Sequence, residues 1–61
     1  MTTAEKLKNA RGEKTREEVA KSIGVTVSAL SMYERGERVP RDEVKVKLAR
    51  LYNKSVQELF F

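Results

Sequence analysis

The side chains of this 61-residue chain that could do chemistry are nine carboxylates, thirteen lysines and arginines, and scattered hydroxyls. Histidine is absent, which removes the usual acid–base group near neutral pH. Cysteine is absent too, so disulfides and thiolate metal sites are excluded. The remaining carboxylates and hydroxyls fall into no nucleophile–base or metal-ligating constellation, and so short a chain leaves no room for a deep pocket. No catalytic residue, metal ligand or cofactor is therefore expected, and the chain does not read as an enzyme. The polar residues read instead as helix starts. Thr2-Thr3-Ala4-Glu5, Thr15-Arg16-Glu17-Glu18 and Ser55-Val56-Gln57-Glu58 all have the S/T-x-x-E form of a capping box. In that motif a hydroxyl and a carboxylate satisfy unpaired backbone N–H groups reciprocally.

The elements that follow are all helical. From Thr2, the residues Ala4, Leu7 and Ala10 form a narrow apolar stripe that ends at Gly12. From Thr15, an inward face of Val19, Ala20 and Ile23 runs to Gly24. Thr26 is a good N-cap for a third helix, on which Ala29, Leu30 and Tyr33 face inward. That leaves Val27, Ser28, Ser31 and Met32 on or near its outer side. The polar loop 36–40 is stiffened by Pro40. A fourth helix runs from Arg41 or Asp42 to Tyr52, with Val44, Leu48 and Tyr52 four apart and Ala49 and Leu51 beside them. Asn53 can stop it, and a short fifth helix opens at Ser55. Tyr33 and Tyr52 read as core residues with a surface hydroxyl. No segment alternates as a half-buried strand would. The expectation is an all-α, compact five-helix bundle forming one domain over residues 1–61.

Residues 15–36 are the most informative stretch. Two helical patterns meet at Gly24, and the second stops at Gly36. Small Ala20 lies where the second helix must cross the first closely. This is the layout of a helix-turn-helix, whose second helix can enter the major groove of DNA. Charge agrees with an anionic partner: the net charge is +4 and the pI about 9.7. Lys6, Lys8, Arg11, Lys14 and Arg16 form one basic cluster, and Arg35, Arg38, Arg41, Lys45, Lys47 and Arg50 another. The two bracket the third helix. No apolar run is long enough for a membrane span and no signal peptide is evident, so a cytoplasmic location is expected. No small-molecule ligand is indicated.

These residues resemble the phage-repressor and Cro-like helix-turn-helix family, the XRE family, over nearly the whole chain. T-R-E-E-V-A resembles the family's S-Q-E-E-L-A. I-G-V-T-V-S-A-L-S-M-Y-E-R-G resembles L-G-V-S-x-S-x-I-S-x-x-E-x-G. Pro40 matches the proline after that loop, and S-V-Q-E-L resembles S-L-D-E-L. The resemblance implies a lambda-repressor-like DNA-binding domain and a transcription regulator acting as a homodimer on a two-fold double-stranded operator. It places Thr26, Val27, Ser28, Ser31 and Met32 at base-facing and groove-facing positions. It places Arg16 where the family commonly has a DNA-contacting glutamine, and Arg35, Arg38 and Arg41 in and around a loop that meets phosphate; all four are candidates for phosphate contact. Lys14 and Lys45 are further phosphate candidates. It pairs Glu34 with Arg11 as a structural ion pair.

The chain departs from the family in three ways. The connection between helices 1 and 2 is about two residues shorter, Arg16 replaces the glutamine, and the third helix lacks a Gln, Asn or Arg to grip a base with two bonds. Unless Arg16 or Arg35 reaches a guanine, direct base readout is therefore expected to be modest, with DNA shape supplying part of the specificity. Val46, Leu51, Phe60 and Phe61 are the apolar residues available for dimerisation. An alternative use of the same fold is a protein-interaction module, antitoxin-like or bound by an anti-repressor, with weak or non-specific DNA binding.

Overall fold

Four of the five helices begin where a hydroxyl can stand in for a missing backbone acceptor. A computed structural model describes all 61 residues, Met1–Phe61. Its elements are α1 (Thr3–Arg11), α2 (Arg16–Ile23), α3 (Val27–Glu34), α4 (Asp42–Leu51) and α5 (Val56–Phe60). At α1, Glu5 N donates to Thr2 Oγ1 at 3.2 Å and Thr2 N donates back to Glu5 Oε1 at 3.0 Å. At α5, Glu58 N donates to Ser55 Oγ at 3.0 Å and Ser55 N to Glu58 Oε1 at 2.9 Å. The cap backbone N–H, then the cap hydroxyl, holds each of these two carboxyls below the ordinary glutamate range.

The third box is only half made. Thr15 Oγ1 accepts from Glu18 N at 3.1 Å, without the return bond from the glutamate. The Lys14–Thr15 peptide is oriented instead by Arg11, whose Nη1 donates to the Lys14 carbonyl at 2.7 Å. Thr26 caps α3 by accepting from Ala29 N at 3.0 Å. No side chain caps α4. Its first turn carries Asp42 and Glu43, which complement the positive end of the helix dipole.

Three helices stop in the same way. Val25 N reaches the Ala20 carbonyl at 3.0 Å, Glu37 N the Met32 carbonyl at 2.9 Å, and Lys54 N the Ala49 carbonyl at 2.9 Å. Each is the long bond of a Schellman stop, which needs a left-handed residue just inside it. Gly24, Gly36 and Asn53 supply that residue, with φ of 74°, 74° and 56°.

The core draws on every helix: Leu7 from α1; Val19, Ala20 and Ile23 from α2; Leu30 and Tyr33 from α3; Leu48 and Ala49 from α4; Leu59 from α5. Leu7, Leu30, Leu48 and Leu59 are almost wholly shielded. Each contributes about 1.5–3 kcal/mol by leaving water. Helix α3 packs against both α1 and α2, α2 also packs on α4, and α5 closes the bundle against α1 and α4. One long side of α3 is therefore left uncovered. The bundle is nearly isometric, 24 × 23 × 22 Å.

Tyr52 differs from the sequence expectation. Its hydroxyl lies inside and makes no hydrogen bond. Burial, followed by the nearby negative charge of Glu34, pushes its pKa up to about 12. The α4 stripe places this residue so far inward that the hydroxyl does not reach the surface.

Candidate nucleic-acid interface

The uncovered side of α3 presents a neutral surface. Val27 and Ser28 are exposed, and Ser31 and Met32 are half-buried. From Val27 to Tyr33 the helix carries no charged side chain. The next residue, Glu34, is a carboxylate, but it is 2% exposed. No anion on this face would repel a phosphate backbone. Thr26 stands exposed at the helix start with its oxygen held by the cap bond. Its hydroxyl proton remains free to donate outward.

Glu34 is tied down from two sides. Arg11 Nε donates to Oε2 at 2.8 Å and Arg16 Nε donates to Oε1 at 3.0 Å. A buried carboxylate needs such partners to offset its desolvation. The short 12–15 connection does not prevent the Arg11 contact, because Arg11 sits in the last turn of α1 and its guanidinium also binds the Lys14 carbonyl in that connection. That Arg16 also holds Glu34 lies outside the sequence expectation. The available signal was the position of Arg16: a cation in a helix's first turn opposes the dipole and calls for a nearby anion.

The remaining basic residues differ in how free they are. Arg35 donates from Nε and Nη2 to both oxygens of Glu37, at 2.9 and 3.1 Å. That hydrogen-bonded pair holds the Glu37 carboxyl below its usual range and raises the guanidinium. Arg38 and Arg41 are exposed and make no ion pair. Lys14 is exposed as well. Lys45 faces the C-terminal aromatic end, with its ammonium 5.6 Å from the Phe60 ring centroid and 5.5 Å from that of Phe61. It also lies 3.9 Å from Asp42, and its side chain is only 17% exposed. Its charge is thus directed at aromatic faces, although Lys45 and Phe60 line one cleft with Arg35 and Arg38.

The four apolar residues available for pairing are not equivalent. Leu51 and Phe60 are half-buried and pack against the core. Val46 is 40% exposed and Phe61 81% exposed. Of the four, Val46 and Phe61 are the open ones. No group of three or more acidic residues is gathered as a metal site would require. No helix is long and apolar enough to cross a membrane.

A family model described as helix-turn-helix matches residues 6–59. The match covers nearly all of the chain, which belongs to that family, in its XRE, Cro-like branch. It is a DNA-binding helix-turn-helix regulator. No curated protein and no solved structure gives a significant match.

Proposed function

We propose that this chain recognises a specific double-stranded DNA site and represses transcription by occupying it as a homodimer, with α3 in the major groove. The observation that carries this reading is the exposed side of α3. It is neutral and small enough to approach base edges, Arg35 follows the helix directly, and Arg16 is bonded to its last residue, Glu34. Val27 offers methyls to a thymine methyl, Ser28 and Ser31 offer single hydrogen bonds, and Met32 packs adaptably. Thr26 donates from the helix start. Arg38 and Arg41 lead the phosphate contacts, and Arg35 joins them to the extent that it leaves Glu37. Phosphate supplies most of the affinity, and DNA shape supplies part of the specificity. Val46 and Phe61 form the centre of the self-pairing surface. Such a protein works in the cytoplasm, where the DNA is.

The test is selection of bound duplexes from a random pool at near-physiological salt. The expected result is a two-fold motif with half-sites about one helical turn apart. Absence of enrichment, with binding that fades steeply as salt rises, would replace this reading with the protein-interaction module.

A further inference from the structure

Arg16 and Glu34 each occupy the wrong end of a helix. Arg16 is a cation at the first residue of α2, and Glu34 is an anion at the last residue of α3. Helix dipoles disfavour both placements. Glu34 also adds a desolvated charge to a small core. Local rules broken together mark places where function outweighs stability.

The two arginines on Glu34 are used differently. Arg11 is 17% exposed and bonds the carboxylate through Nε and the Lys14 carbonyl through Nη1. It joins α1, the 12–15 connection and α3, and that role is complete within the protein. Arg16 is 40% exposed and bonds Glu34 through Nε alone. Neither of its terminal nitrogens has a partner in the protein. A guanidinium fixed at Nε cannot swing freely, so its two terminal nitrogens are held together on the solvent side. A fork of this kind matches two oxygens of one phosphate. Arg16 begins α2, the first helix of the helix-turn-helix, and in such motifs the first helix crosses the DNA backbone.

We infer that Glu34 is a positioning residue for DNA binding: one carboxylate oxygen holds the fold through Arg11, and the other aims Arg16 at a backbone phosphate. This rests on the DNA-binding reading above and adds to it. The arginine is not a loose surface charge, and the buried acid behind it serves affinity as well as folding.

The test uses the duplex enriched by the unaltered protein and measures its Kd over a range of salt concentrations. Removing a negative charge from a DNA-binding protein should tighten binding if only net charge matters. Here Glu34→Gln is expected to weaken binding about tenfold, the scale of one charge-assisted hydrogen-bond arrangement. In an Arg16→Gln background the same change should alter Kd less than about twofold, because the residue that it positions is gone. Arg16→Lys keeps the charge on a partly exposed site and folds whether or not Glu34→Gln does. It too should weaken binding about tenfold, since a lysine cannot bond Glu34 and fork a phosphate at once. Arg16→Lys binding like the unaltered protein would overturn the inference. So would Glu34→Gln binding as tightly or more tightly, or weakening equally in both backgrounds. Failure of the unaltered protein to select any duplex would instead remove the DNA reading, and this inference with it.

Discussion

Arg11 Nε lies 2.8 Å from Glu34 Oε2, although 23 residues separate them in sequence. The contact ties the end of α1 to the end of α3 around a carboxylate with no side-chain exposure. Glu34→Ala would leave Arg11 and Arg16 facing each other without their shared anion. The expected destabilisation is about 3 kcal/mol, the lower end for a broken buried pair because Arg16 stays partly in water. A chain of this length holds only about 3–9 kcal/mol in total. The order of destabilisation should be Glu34→Ala, then Arg11→Ala, then Arg16→Ala, following how buried each side chain is. Urea unfolding followed by helical circular dichroism gives the three values. A Glu34→Ala protein as stable as the parent would show that the carboxylate is not needed for folding.

The Tyr52 hydroxyl is buried without a partner. An unpaired buried donor costs about 1–3 kcal/mol. Removing it as Tyr52→Phe keeps the ring packing, so stability should stay level or rise. The pH dependence has a definite sign. Between pH 10 and about 12 the unfolded chain releases this proton while the folded chain keeps it. Stability must then fall as pH rises through that window, and be unaffected by this group below pH 10. The difference in stability between the parent and Tyr52→Phe should be flat below pH 10 and shift against the parent above it. A difference that stays flat to pH 12 would place the hydroxyl in contact with water.

Helix order, most caps and the stops were legible in the sequence because each depends on neighbours within five residues; the exception is the Thr15 box, whose return bond from Glu18 is not made. Thr2, Thr26, Ser55, Gly24 and Asn53 all do what their types and spacing imply. The neutral outer side of α3 was legible for the same reason, since helical period alone separates Leu30 and Tyr33 from Val27 and Ser28. Contacts between helices were not legible. The first-turn position of Arg16 calls for an anion but does not single out Glu34, eighteen residues on, and nothing local indicates that Lys45 lies over Phe60 and Phe61. The depth of Tyr52 also depends on how α4 packs. The Arg35–Glu37 pair was within reach at a spacing of two, but in a loop that spacing fixes no geometry.

Gly24 separates backbone strain from crowding. Its φ of 74° and ψ of 33° are left-handed, and a Cβ there would meet nothing within 4 Å. Gly24→Ala should therefore cost about 1–2 kcal/mol, all of it from the backbone. Gly24→Asn should cost less, because asparagine enters this region more readily. Thermal melts of both variants give the comparison. Equal destabilisation, or a value well beyond that range for alanine, would show that space limits the turn.

Arg38 and Arg35 flank the same loop but differ in freedom. Arg38 has no ion-pair partner, whereas Arg35 is bonded twice to Glu37. If Arg38 neutralises one phosphate, Arg38→Ala should lower the log–log salt slope by about 0.9. The same variant should weaken binding about equally to all sequences. Arg35→Ala should lower the slope less, because much of its charge already faces Glu37. Binding titrations from low to moderate salt decide the matter. An unchanged slope for Arg38→Ala would remove it from the phosphate contacts, and equal steps would mean that Arg35 leaves Glu37 entirely on DNA.

Val46, midway along α4, and Phe61, at the C-terminal end, are both exposed, with Lys45 held over the terminal ring at 5.5 Å. If this surface pairs two copies, Val46→Glu should weaken self-association by placing like charges across a two-fold contact. Phe61→Ser should weaken it by removing the largest exposed apolar side chain. Neither residue belongs to the core, so the monomer's stability should change by no more than about 0.5 kcal/mol. Sedimentation velocity with and without the selected duplex measures the pairing, and a melt of each variant checks the fold. Disappearance of the dimer with the melt intact supports pairing through these residues. A dimer that persists in both variants would move the interface elsewhere, with Leu51 and Phe60 already partly enclosed by the protein's own core.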